Sequence, residues 1–171
     1  MRKHNVKIEY RPAHQIDLSE IVLLVKTAIQ TMENNHIHQW DEIYPTKEDF
    51  AEDIRQDNLY IGVSEGKIAV VFALNKQCDE AYQNGHWQYP DREFCVVHRL
   101  CVNPHFQHKG VAKQTMQFIE EKCKAEGITA VRLDAFSHNP SALKLYSHLG
   151  YRRVGHAHWR KGRFYLFEKY L

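Results

Sequence analysis

Two segments of this chain hold residue types at spacings that suit chemistry on a phosphate-bearing molecule. In the first, an apolar strand ending at Leu100-Cys101-Val102 runs through Asn103-Pro104-His105-Phe106 into Gln107-His108-Lys109-Gly110-Val111-Ala112-Lys113, a Gln-x-x-Gly-x-Ala step that opens a helix. The first amides of a helix lack partners within it, and the macrodipole adds partial positive charge there, so an anion is bound without any cationic side chain. Gly110 and Ala112 are small enough to let a phosphate reach those amides. Taken alone, the same letters also fit a glycine that only eases a turn. In the second segment Asn139 and Pro140 open a helix that carries Ala142 and Tyr146 and closes at Gly150-Tyr151. Asn is a natural cap and Pro a natural first residue of a helix. A tyrosine phenol ordinarily keeps its proton at neutral pH, its pKa lying near 10.

In this order and at about this separation, the two segments resemble the acyl-CoA-binding signature of the GNAT superfamily of N-acetyltransferases. The first is similar to its Q/R-x-x-G-x-G/A pyrophosphate loop, and the second to its N-x-x-A-x-x-x-Y-x-x-x-G-F/Y stretch. The resemblance is specific from about Phe94 to Arg153, and Ala112 stands where the family often has glycine. It implies acetyl-CoA as co-substrate, with no metal, seated on Gln107, His108, Lys109, Gly110, Val111, Ala112 and Lys113. The pantetheine arm would pair with the backbone of Leu100, Cys101 and Val102, and Asn139, Ala142 and Tyr146 would complete the cofactor set. It also implies that Tyr146 donates a proton or a hydrogen bond to the departing thiolate.

An amine must lose a proton before it can attack, so a base or a water chain is needed. Strand alternation puts His98 on the face of Leu100, and arylalkylamine N-acetyltransferases have a histidine at the same offset. A histidine pKa near 6.5 suits the task, and the alternatives are a structural histidine or Glu93 acting through water. Trp40, Tyr44, Tyr82, Trp87 and Tyr89 fall in segments that wall the acceptor pocket in GNAT proteins, and they also suit the packing of long loops. His36 with His38 and His156 with His158 are close pairs, but no thiolate or carboxylate set accompanies them, and solvated or core histidines are expected.

These residues need a scaffold. Val6 to Tyr10 alternates as a strand, and Asp17 with Glu20 suggests a capping pair for a helix reaching about Glu33. Thr46 opens a short helix ending near Asp57, and Leu59–Ser64 and Lys67–Asn75 read as a hairpin turning at Glu65-Gly66. Phe94–Val102 is a long strand, Val111–Glu126 an amphipathic helix stopped by Gly127, and Ile128–Ala135 a strand. After the Tyr146 helix, Tyr151–His158 and Arg163–Tyr170 form a closing hairpin around Lys161-Gly162. The order implies an α/β fold of GNAT type, a mixed sheet of about seven strands flanked by about four helices.

At 171 residues, 43% of them hydrophobic, with no linker-like stretch, residues 1–171 are expected to form one domain. Twenty-three Lys and Arg against twenty-one Asp and Glu leave a formal charge of +2, which gives no footprint for nucleic acid or membrane. Met1-Arg2-Lys3-His4-Asn5 is followed by no apolar run of signal length, and nothing approaches the roughly 18 residues of a membrane span. A soluble, cytoplasmic protein with reduced cysteines is expected. The function expected is N-acetyl transfer to a primary amine of a small molecule or peptide by direct attack, with the acceptor unread and a homodimer left open. Two rivals stay open: a CoA-binding regulatory domain without turnover, and an acetyltransferase of ribosomal, N-terminal or chromatin targets.

Overall fold

The computed structural model describes residues 5–171. Met1 to His4, which entered the reading of the N-terminus, lie outside the described residues. Seven strands, β1 (Glu9–Pro12), β2 (Leu59–Ser64), β3 (Lys67–Asn75), β4 (Phe94–Val102), β5 (Ala130–Phe136), β6 (Arg152–Trp159) and β7 (Gly162–Tyr170), form one sheet in the order β1-β2-β3-β4-β5-β7-β6. The helices are α1 (Leu18–Asn34), α2 (Lys47–Arg55), α3 (Val111–Ala125) and α4 (Pro140–His148). β4 and β5 pair in parallel, while β1 with β2, β2 with β3, β5 with β7 and β6 with β7 pair antiparallel, so the sheet is mixed as expected. Among the described residues no helix is long and apolar enough to cross a membrane.

The chain divides into two compact units, and β3, β4 and α3 each run from one into the other. The first holds the chain up to His36, Trp40–Ala73 and Arg99–Met116. Leu18, Ile21, Leu24, Val25 and Ala28 recur at helical spacing on α1 and are buried with Phe50, Ile54, Leu59, Ile61 and Trp40. Each large apolar side chain so buried contributes about 1.5–3 kcal/mol. Glu65 (φ 52°) and Gly66 (φ 74°) both take the left-handed conformation that a two-residue hairpin turn requires, and the β2–β3 hairpin lies where the sequence put it. Thr46 and Asp49 form a reciprocal capping box at the start of α2, with Thr46 N–H on Asp49 Oδ2 at 2.7 Å. That helix ends at Arg55 because Asp57 turns left-handed (φ 57°).

Two local expectations fail in this unit. Asp17 does not cap α1 with its side chain, because its own backbone is already helical at φ −80°, ψ −15°. Its carboxylate instead accepts the His14 N–H at 2.8 Å and both arms of the Arg11 guanidinium at 2.8 and 2.9 Å, and Glu20 Oε1 takes the Ile68 N–H at 3.0 Å. The Arg11 hydrogen bonds hold the Asp17 carboxyl below its usual range. The first strand starts three residues later and ends two residues later than expected, at Glu9–Pro12, and Val6 and Ile8 pack beside Phe106 and Val111 ahead of it.

The second unit holds Ile37–Gln39, Leu74–His98 and Gln117–Leu171. Its β5–β7–β6 ladder runs from Ala130↔Tyr170 to Phe136↔Phe164, and from Arg152↔Glu168 to Trp159↔Gly162. Val96, Val154, Ala157 and Leu166 are buried beneath Tyr82 of the β3–β4 connection. The Arg132 guanidinium lies over the rings of Phe94 at 3.9 Å and Trp87 at 4.3 Å, which lets a cation sit in this core. All four cysteines are free, and Cys95 and Cys123 meet at 2.7 Å between sulfurs.

Candidate active site

The Gln107–Ala112 segment is built by what precedes it. Asn103 anchors the end of β4, its N–H on the Ala69 carbonyl at 2.8 Å and its Nδ2 on the Ile68 carbonyl at 2.9 Å, while its Oδ1 accepts the His105 N–H at 3.0 Å and starts a short 3-10 turn. Phe106 is buried with Val111, fixing both ends of the loop between them. Within it His108 (φ 63°) and Gly110 (φ 76°) are left-handed, and α3 begins at the next residue. Alternating handedness turns successive amides toward one side, the arrangement that makes an anion-binding concavity. A Cβ on Gly110 would meet nothing within 4 Å, so the glycine answers to backbone conformation and the volume a side chain would take is open. His108, Lys109 and Lys113 are exposed, Gln107 and Ala112 half-buried.

Upstream, β4 departs from regular alternation. Arg99 sits at φ 52° inside the strand, so the two-residue offset between His98 and Leu100 does not give them a common face. Leu100 and Val102 pack with Phe106 and Val111, whereas Cys101 is buried against residues of α1 and α2. Burial alone pushes the Cys101 thiol up to about 12, and the contact with Cys123 together with burial pushes Cys95 up as well. Neither supplies a thiolate at neutral pH. His98 is half-buried, its Nε2 2.8 Å from Asn75 Oδ1 and 3.1 Å from the Gln77 carbonyl. A carbonyl only accepts, so Nε2 carries the hydrogen and Nδ1 is the basic nitrogen. Glu93 is exposed and ion-paired with Lys76 at 3.0 Å.

On α4 the cap is as expected: Asn139 Oδ1 accepts the Ala142 N–H at 3.2 Å, while its Nδ2 donates to Gln39 Oε1 at 3.0 Å. Ala142 is half-buried on the first turn. Tyr146 is buried, with its ring edge-on to Tyr151 at 5.8 Å and 6.0 Å from Phe167. Burial first, and then the charge of Asp134, raise its pKa well above the usual phenol range, so it holds its proton.

Asp134 is a group the sequence reading missed. It is the half-buried residue in an otherwise buried β5, and its Oδ2 accepts the Tyr82 hydroxyl at 2.7 Å. Tyr82 is 3% exposed, stacks on Trp87 at 5.6 Å, and is kept neutral by burial and by the same carboxylate. The signal was present: an acid in a short apolar strand must face something that accounts for its charge.

The other aromatics fall in both units. Trp40 is part of the first unit's core, and Tyr44, 39% exposed, accepts a hydrogen bond from Arg99 Nη1 at 3.0 Å. Tyr82 and Trp87 lie together in the second unit, and Tyr89 stacks on Tyr170 at 4.8 Å. The His156 and His158 rings meet edge to face at 5.5 Å. Among the described residues no group of three or more His, Cys, Asp or Glu is placed to hold a metal.

Against known proteins, the model of the acetyltransferase (GNAT) family matches residues 29–151. An acetyltransferase of the GNAT family from Streptococcus agalactiae superposes with a TM-score of 0.87 at 23% identity, over 98% of this chain and 99% of that one. PaiA N-acetyltransferase of Thermoplasma acidophilum, solved with coenzyme A, gives 0.71 at 16% identity over 96% and 99%. The ribosomal-protein-S18-alanine N-acetyltransferase of Escherichia coli gives 0.71 at 13% identity over 96% and 94%.

Proposed function

The chain belongs to the GNAT acetyltransferase family, and from that we propose that residues 1–171 act as one domain that moves the acetyl group of acetyl-CoA onto a primary amine of a small molecule or peptide. The observation that carries the reading is the loop opening α3, left-handed at His108 and Gly110 with open volume beside the glycine. A diphosphate fits that donor set, since backbone amides and the helix dipole bind it and Gln107, Lys109 and Lys113 border it. The backbone of Leu100 to Val102 holds the extended arm, and the family pattern gives Asn139 and Ala142, at the start of α4, a cofactor-binding role.

When bound, the thioester supplies an activated acetyl group. The chain's own residues then manage charge and protons. Asp134 holds the positive charge of the incoming ammonium, His98 Nδ1 takes its proton, and the neutral nitrogen attacks directly. Tyr146, kept protonated by burial and by Asp134, gives its proton to the departing sulfur. Cys95 and Cys101, both held as thiols, do not serve as acyl carriers, which favours direct transfer over an acyl-enzyme. Glu93, exposed and paired with Lys76, ranks behind His98 as the base.

A screen of free thiol release from acetyl-CoA tests this, run across polyamines, arylalkylamines, amino acids, aminoglycosides and peptide N-termini. Amine-dependent release with one acceptor class is expected. Tight acetyl-CoA binding without release for any amine would favour a regulatory CoA-binding domain, and release only with protein N-termini would reassign the acceptor.

A further inference from the structure

The left-handed step at Arg99 coincides with a buried ion pair in the first unit. Arg99 is neither Gly, Asn nor Asp, the residues that adopt φ 52° at little cost, and a strand interior offers no turn to require it. Its guanidinium is held on both sides of the Asp53 carboxylate, Nε on Oδ2 at 2.8 Å and Nη2 on Oδ1 at 2.5 Å, and its remaining arm donates to the Tyr44 hydroxyl at 3.0 Å. Asp53 belongs to α2 and is 6% exposed; the Arg99 side chain is 16% exposed. Burial pushes the Asp53 carboxyl up, as do the neighbouring acids Asp49 and Glu52, and the Arg99 hydrogen bonds and charge oppose it. A buried bidentate pair of this kind fixes geometry more than it adds stability.

The conformation of Arg99 governs the last three residues of β4. Leu100, Cys101 and Val102 alternate between two different clusters, and a one-residue slip would turn each of them over. Restoring Arg99 to an extended conformation is such a slip. We propose that the Asp53–Arg99 ion pair is a positioning device that imposes the left-handed step in β4 and so sets which way the backbone groups of Leu100–Val102 point. That those groups receive the acetyl-CoA arm rests on the function proposed above; the control of the step by the ion pair does not.

The test uses Asp53→Ala and the double variant Asp53→Ala/Arg99→Gly, in which glycine adopts the left-handed step without a partner and no buried charge is stranded. Amide hydrogen exchange over residues 99–103 and acetyl-CoA affinity by calorimetry are read for each, with thermal midpoints recorded alongside. Asp53→Ala is expected to speed exchange across 99–103 and to weaken acetyl-CoA by at least about 10-fold, as misplacement of a binding element does. The double variant is expected to lie closer to the wild type than Asp53→Ala in both readouts. Should Asp53→Ala not fold, Asp53→Asn, which keeps the shape and removes the charge, is read in the same way. Unchanged exchange in the single variant, or a double variant as perturbed as the single one, would overturn the proposal. If wild-type protein fails to bind acetyl-CoA, the proposed function falls, and the exchange data still decide whether the ion pair sets the step.

Discussion

The loop opening α3 and the neighbourhood of Asp134 are made of different materials. The loop is a backbone device: its side chains His108, Lys109 and Lys113 are exposed, and its character lies in two left-handed residues followed by a helix start. Around Asp134 the opposite holds, with buried phenols, a half-buried carboxylate and a 2.7 Å hydrogen bond from Tyr82, which comes from an element far from β5 in sequence. A backbone device binds charge that is already present on a ligand. A buried side-chain cluster governs charge that changes during a reaction, because low polarity amplifies each proton gained or lost. Ground-state affinity for the cofactor should therefore track the loop, and turnover should track the cluster.

The largest expected effect on turnover is at Tyr146. Tyr146→Phe removes one hydroxyl and little packing, so kcat should fall about 100- to 1000-fold, the cost of losing one donor at a site of developing charge, while acetyl-CoA affinity stays near that of the wild type. Stopped-flow thiol release paired with calorimetry reads both. A variant with full kcat would make Tyr146 a packing residue of the Tyr151 and Phe167 cluster and remove the basis of the comparison.

A smaller and more discriminating pair of changes separates the roles of His98 and Asp134. His98→Ala should remove an ascending limb of kcat/KM near neutrality, where a histidine titrates. Asp134→Asn keeps an acceptor for the Tyr82 hydroxyl but loses the charge, so the limb should remain while the acceptor KM rises about 10- to 100-fold, the worth of a hydrogen bond to a charged group. Tyr146 is expected to govern the alkaline side of the profile. Its raised pKa means it stays protonated through the ordinary phenol value, so no descending limb from it is expected below about pH 10; removing the Asp134 charge, one of the two causes, should bring that limb to lower pH. If Asp134→Asn abolishes the neutral limb and His98→Ala spares it, the carboxylate is the base and the two roles exchange.

Legibility in the sequence divides along the same line. The β2–β3 hairpin, β4 and the α3 loop were legible because Gly66, Gly110 and the spacing of apolar residues report backbone conformation directly. The Asn139 cap was legible for the same reason. Asp17 and Glu20 looked like a capping pair but are taken by Arg11, His14 and Ile68, partners of which only the first two lie close in sequence. The common face inferred for His98 and Leu100 failed because an arginine, not a glycine, makes the left-handed step, and its guanidinium is held by a carboxylate on α2. Asp134 went unread since its meaning depends on the hydrogen bond from Tyr82, a partner that sequence distance conceals. Aromatic residues in the long connections drew attention as a group, yet Trp40 is core and Tyr89 pairs with Tyr170, because large rings fill whatever surface the fold leaves to them.

If the loop opening α3 seats the diphosphate of acetyl-CoA, calorimetry on wild-type and Gly110→Glu protein of verified fold should separate acetyl-CoA from acetyl-pantetheine, which carries the thioester arm and no diphosphate. Wild-type protein should bind acetyl-CoA far more tightly than the fragment, and Gly110→Glu should bring acetyl-CoA down to the fragment's level while leaving the fragment unchanged. Equal affinity of the wild type for the two ligands, or undiminished acetyl-CoA binding in a folded Gly110→Glu protein, would contradict that seat.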